Sequence, residues 1–106
     1  MAQKGRGIFM VYVDIDAQHA PEFNEWYNKE HLPQLAAVPG VLTARRFQAA
    51  GSEIEKKYLA LYHMTSADVS RSDAWSKAAN TPWTEKMRPH FRDPLILRCT
   101  KYVRKG

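Results

Sequence analysis

Residues 8–15, IFMVYVDI, constrain the fold more than any other stretch. They are β-branched, apolar and aromatic with no helical period, so they predict a strand that is apolar on both faces and needs cover on both sides. The rest of the chain must supply that cover. Pro21 suits the first turn of a helix and Glu22 and Glu25 its positive end, while Phe23, Tyr27, His31 and Leu35 recur on one face with Trp26 beside them. Pro33 removes a donor and disfavours helical geometry at Leu32, so a kink or break is expected there, with His31 in the last turn of the first segment.

Two further strands are expected at Val41 to Ala49 and Lys57 to Met64, paired antiparallel through a charged GSEIE connection. Ser66 or Asp68 can cap a second helical region running to about Asn80. Thr81-Pro82 is a cap followed by a proline at a first helical position, and Pro89 ends that short helix. A last strand spans Pro94 to Val103, with Leu95, Leu97, Cys99 and Val103 alternating against Ile96, Arg98, Thr100 and Tyr102. The order β-α-β-β-α-β predicts an α+β ferredoxin-like fold, a four-stranded antiparallel sheet with both main helices on one face. The other face carries apolar residues too, so a second copy of the chain, packed sheet against sheet, is the expected cover.

Length and composition agree with this. A chain of 106 residues, 44% apolar and 11% aromatic, is one domain spanning residues 1–106. No stretch is long enough to cross a bilayer and the amino-terminal run has no signal-peptide pattern, so a soluble, cytoplasmic protein with no membrane partner is expected. Cys99, the single cysteine, is assigned to packing. The net charge of +5 is scattered rather than striped, and no nucleic-acid motif accompanies it, so no nucleic-acid partner is expected.

Several motifs resemble a known family: W-Y-N-x-E-H-L-P at 26–33, V-P-G-V at 38–41, A-R-R-F at 44–47, K-Y-L-A-L-Y at 57–62 and T-P-W-T at 81–84. The chain is similar to the dimeric α+β barrel proteins, in particular their EthD-like group. The resemblance implies a dimeric α+β barrel whose relatives include muconolactone isomerases, polyketide cyclases, cofactor-free monooxygenases and haem-dependent degraders. It carries the fold further than the reaction.

Tyr27 and His31 are spaced to share a helix face with Phe23 and Leu35, which places a phenol and an imidazole in one pocket against the sheet. That pair has the minimum for proton transfer and oxyanion stabilisation, with His31 poised near neutral pH by the helix end. The competing role for His31 is to cap the broken helix. His63 alternates with Leu59 and Leu61 on an apolar face and is a third candidate for proton transfer, though a lone histidine there is more often a packed one. Tyr62 faces the opposite way, with Tyr58, toward either the pocket or the dimer seam.

Trp26 and Trp83 are candidate walls, Trp83 in a segment able to close over a pocket. Of Arg45 and Arg46, Arg45 shares a face with Val41 and Phe47 by alternation and is the better inward candidate, unless a bulge intervenes; a salt bridge to Asp14 or a helix acid is its structural alternative. No histidine pair has metal-site spacing, so no metal is expected. The function expected is a cofactor-independent isomerase, cyclase or lyase acting on a small hydrophobic or aromatic carbonyl compound. One alternative is a ligand-binding or accessory protein to an oxygenase system. Another is a haem-dependent or cofactor-free monooxygenase.

Overall fold

The computed structural model describes residues 7–49 and 57–100. The GSEIE connection and the end of the last expected strand lie outside them. Strand β1 (Gly7–Ile15) is followed by α1 (Ala20–Trp26) and α2 (Leu32–Ala36), then β2 (Val41–Gln48), β3 (Tyr58–Met64), α3 (Asp73–Ala79), α4 (Pro82–Met87) and β4 (Phe91–Thr100). The four strands form one antiparallel sheet in the order β2-β3-β1-β4, so the two-faced β1 sits inside it, as its composition requires. This is the ferredoxin-like β-α-β-β-α-β fold.

The helix starts follow their expected chemistry. Ser72 accepts a hydrogen bond from the Trp75 amide, Thr81 accepts one from the Thr84 amide, and Pro82 takes the position where no donor is needed. In β4, Asp93 adopts φ 50° and the register against β1 shifts between Tyr12 and Asp14, which lets Pro94 sit in an edge strand. Gly40, at φ 98°, makes the turn into β2.

Pro33 does not break its helix. Leu32 keeps helical φ/ψ of −64° and −48°, and the run from α1 to α2 is continuous through a π turn at Tyr27–His31. Here the Leu32 amide bonds to the Tyr27 carbonyl, five residues back instead of four. A widened turn moves the preceding carbonyls off the proline ring and absorbs its missing donor, so the discontinuity is a π bulge within a continuous hydrogen-bonded run.

The core lies between the helices and one sheet face. Phe9, Val13 and Ile15 of β1 and Ala60, Tyr62 and Met64 of β3 meet Phe23, Trp26, Tyr27 and Leu35 from the helical run, Trp75 from α3 and Met87 from α4. The opposite face carries Met10, Tyr12, Leu59, Leu61, Phe47, Leu95 and Leu97, by their register, and there Phe47 and Leu95 are 49% and 46% exposed.

Candidate functional site

Between the helix layer and the sheet lies a cavity of about 440 Å³, within the size range of small-molecule sites. Its floor is Phe9, Val11 and Val13 of β1 with Tyr62 of β3. One wall is Trp26, Tyr27, His31 and Leu35; the other runs from Ser70 through Trp75 and Asn80 to Thr84 and Arg88; and Phe91, Ile96 and Arg98 form the β4 side. The cavity is lined by three arginines, Arg71, Arg88 and Arg98, and by no carboxylate among the described residues.

The π turn sets the arrangement of the first wall. In an ordinary α-helix residues five apart diverge, but across this turn they are bonded neighbours, and the His31 ring stacks on Trp26 with centroids 4.4 Å apart and planes at 26°. Tyr27 meets the same imidazole edge-on at 4.9 Å. Two nitrogens here are sealed from solvent without a hydrogen-bond partner among the described residues: the Trp26 indole Nε1, on a residue 1% exposed, and His31 Nδ1. Orphaned buried polar groups are costly, and both of these belong to residues of the cavity wall.

His31 is not poised near neutrality. Burial removes the hydration of its charged form, and the guanidinium groups of Arg88 and Arg46 oppose a further positive charge, so its pKa falls to about 4. It is a neutral imidazole across the physiological range rather than a charged cap on the helix end. Tyr27 and Tyr62 are raised by burial, and the Tyr62 hydroxyl donates to that of Tyr27 at 3.5 Å; both are neutral phenols.

The remaining candidates divide. Trp26 and Tyr62 line the cavity together with Tyr27 and His31. Arg45 does not: the β2–β3 register shifts between Val41 and Thr43, which throws Val41 toward the helices while Arg45 and Phe47, opposite Leu61 and Leu59, fall on the open sheet face. Arg46 is the inward residue. It finds no carboxylate among the described residues; its guanidinium donates to the side-chain oxygens of Asn28 (2.9 Å) and Asn24 (2.8 Å) and lies 4.4 Å from the centre of the Tyr27 ring. It stands behind Tyr27 rather than in the cavity.

His63 pairs with Ile8 and Thr43 on the open face, away from His31. Trp83 is not a cavity wall either: its indole donates to Glu22 at 3.2 Å over the start of α1, and α4 presents Thr84 and Arg88 to the cavity instead. Alternation in β4 carries a signal for one residue that spacing alone passes over, since Arg98 lies opposite Phe9 and therefore faces the helices.

A second cluster was also invisible in the spacing. Asp16, His19 and His90 bring donor atoms within 4.8 Å of one another. The His19 Nδ1 to Asp16 distance is 2.7 Å, and the two imidazoles stack at 3.5 Å with planes 18° apart. Near-parallel rings direct their lone pairs alongside each other rather than to a common point, so the arrangement reads as a hydrogen-bonded stack that lowers the Asp16 pKa, through the His19 hydrogen bond first.

Fold and cavity together define a protein of the ferredoxin-like α+β class. Within it, the chain belongs to the family described as domain of unknown function DUF4286, whose model matches residues 6–100. The EthD-like grouping suggested by the motifs is not the one that matches. No curated protein matches the sequence.

Among solved structures the chain is similar to a dabb family protein with a ferredoxin-like fold from Mesorhizobium loti (15% identity, 98% of this chain and 100% of that one, TM-score 0.63). It is also similar to SnoaB, a cofactor-independent oxygenase from Streptomyces nogalater (15%, 94% and 96%, TM-score 0.63). A third is the haem-degrader MhuD from Mycobacterium tuberculosis (16%, 94% and 99%, TM-score 0.56). The relatives described by an activity are an oxygenase and a haem degrader, which overturns the isomerase, cyclase or lyase expectation. The neutral, low-pKa His31 agrees, since that expectation relied on an imidazole changing charge near pH 7.

Proposed function

We propose that the protein is a cofactor-free monooxygenase acting on an electron-rich aromatic compound in the cavity between the helices and the sheet. The observation that carries this reading is the lining itself: an aromatic cavity with one neutral imidazole and three arginines, and no acid in its described lining. Such a field favours a substrate that ionises to a delocalised carbanion, the form of an aromatic compound that dioxygen oxidises without help.

All four electrons that reduce dioxygen come from the substrate itself. A CH2 flanked by aromatic rings and activated by a carbonyl ionises with its proton passing to solvent, and the neutral His31, too weak a base to hold that proton, orients the substrate through Nε2, the ring nitrogen that is not sealed. The carbanion adds dioxygen to form a C–O bond as a peroxide, and loss of the second C–H proton with O–O cleavage leaves a ketone and water. The sum is CH2 plus O2 giving C=O plus H2O. The Trp26 ring, stacked on His31, forms one wall beside the substrate, and the Tyr27–Tyr62 pair is a neutral wall behind it.

The test is oxygen uptake with a panel of polycyclic ketones bearing an acidic CH2. One O2 consumed per ketone formed, with one atom of labelled oxygen in the product and loss of turnover in His31→Gln, is expected. Ligand binding without oxygen uptake across the panel overturns the reading.

A second reading, haem binding, is favoured by one observation, that His31 is the single histidine of the described lining and stands among arginines. His31 would hold the iron and Arg88 or Arg98 the propionates, and the haem would supply oxygen activation. Titration with haemin decides: a Soret band that is lost in His31→Ala favours it.

The open sheet face belongs to the same proposal. A second copy of the chain covers it, sheet to sheet, burying Phe47, Leu95 and Leu97.

A further inference from the structure

Three arginines line the cavity, and the protein supplies acids for only two of them among the described residues. Arg88 donates to Glu85 and Asn80, and Arg71 reaches Asp68 at 3.4 Å, but Arg98 has no carboxylate partner among those residues. Arg98 is nonetheless held in place. Its Nε donates to the Ser70 hydroxyl at 3.0 Å, that buried hydroxyl is itself oriented by donating to the Ala67 carbonyl at 2.8 Å, and the guanidinium lies 5.1 Å from the centre of the Phe9 ring. An ordinary surface arginine keeps its rotamer freedom; this one has its Nε edge and one face fixed, which leaves the two terminal nitrogens as a pre-set fork.

The fork stands where a ligand enters. Ile96 lies on the helix-facing side of β4 and lines the cavity, yet is 49% exposed, so the cavity opens along this edge. Arg98 is the next residue on the same face. A ligand whose rings pass Ile96 toward Trp26 and Trp75 leaves its outer end beside Arg98, where a charge keeps part of its hydration and avoids the cost of full burial.

We infer that the cavity's substrate is an aromatic carboxylic acid, its carboxylate held by the Arg98 fork at the β4 mouth and its rings against the aromatic lining. This rests on the cavity being the reaction site proposed above, and it makes Arg98 the residue that selects acids over neutral compounds.

Equilibrium binding separates the two claims, because it needs no turnover. Calorimetric titration of the protein with 2-naphthoate and with 2-naphthamide, its uncharged counterpart, is expected to show the acid binding roughly tenfold or more tightly, the scale of a charge-assisted hydrogen bond. Arg98→Gln should bring the two affinities within about twofold of each other while leaving that for naphthamide unchanged, which also reports that the variant is folded. Arg98→Lys, which keeps the charge without the fork, should retain only part of the preference. Equal affinities in the wild type, or an acid preference that survives in Arg98→Gln, overturns the inference. An acid preference with no oxygen uptake by any substrate would leave the inference standing and remove the oxygenase reading.

Discussion

The two faces of the sheet are built from the same kinds of residue and have opposite fates. On the helix side, Phe9, Val13, Tyr62 and Met64 are all at most 6% exposed and enclose a cavity lined with aromatic rings. On the other side Phe47, Leu95 and Leu97, no less apolar, are 49%, 46% and 38% exposed. Hydrophobicity therefore does not distinguish the faces; their cover does. One face is closed by helices of the same chain and carries polar exceptions, His31, Tyr27 and three arginines. The other exposes an apolar patch of Phe47, Leu95 and Leu97 beside Thr43, Arg45 and His63, the kind of patch that marks an interface.

The largest expected effect comes from a matched pair of truncations, one on each face. Phe23 is fully buried and its ring contacts those of Trp26, Tyr27, Tyr58 and Phe91. Phe23→Ala should lower unfolding free energy by about 3–5 kcal/mol, a loss set by the cavity it leaves. Phe47→Ala should cost less than about 1 kcal/mol in protein dilute enough to be monomeric, because half of that side chain is already in water. Urea denaturation of both variants checks the contrast, and equal losses would mean the faces are not different in the way their exposure suggests.

An effect of intermediate size belongs to His31 and sharpens the comparison, since it tests the polar group held inside the covered face. Its folded pKa is depressed to about 4 from an ordinary value of 6.5. The unfolded chain therefore takes up a proton first as pH falls, and the native state loses stability between about pH 6.5 and pH 4. At roughly 1.4 kcal/mol per pKa unit, the loss is on the order of 3 kcal/mol. The difference in urea midpoint between pH 7 and pH 4.5 should be larger for the wild type than for His31→Gln. Identical pH profiles would show that the imidazole is hydrated in the native state.

Much of the covered face was legible in the sequence, for reasons tied to particular residues. The period-four recurrence of Phe23, Tyr27, His31 and Leu35 identified the helix face, and Thr81-Pro82 identified the start of α4. Two local irregularities hid the rest. The register shift between Val41 and Thr43 reverses the alternation that pointed to Arg45, and the π turn brings His31 onto Trp26, a spacing that ordinary helical geometry keeps apart. Both involve a single residue's worth of extra backbone, which leaves composition and periodicity almost unchanged while redirecting every side chain that depends on it. Arg88 and Arg98 were missed for another reason: their role comes from the meeting of α4 and β4 around the cavity, a tertiary placement that no local pattern records.

The smallest expected change in fold stability comes with the most telling change in assembly. Leu97 lies opposite Met10 on the open face, 38% exposed, in an edge strand. In a lone chain Leu97→Lys should alter unfolding free energy by no more than about 0.5 kcal/mol, since the long side chain can lay its methylenes along the sheet and keep its ammonium in water. Against a second sheet the same ammonium meets an apolar surface and must either be buried unpaired or hold the two copies apart. Sedimentation at micromolar concentration should therefore show a wild-type dimer and a Leu97→Lys monomer, with nearly the same unfolding midpoint when both are diluted to monomer. A wild type that sediments as a monomer, or a variant that remains dimeric, would mean that something other than a second copy covers this face. The apolar surface would then have to be accounted for by a different partner, because the chain's own helices already lie on the other side.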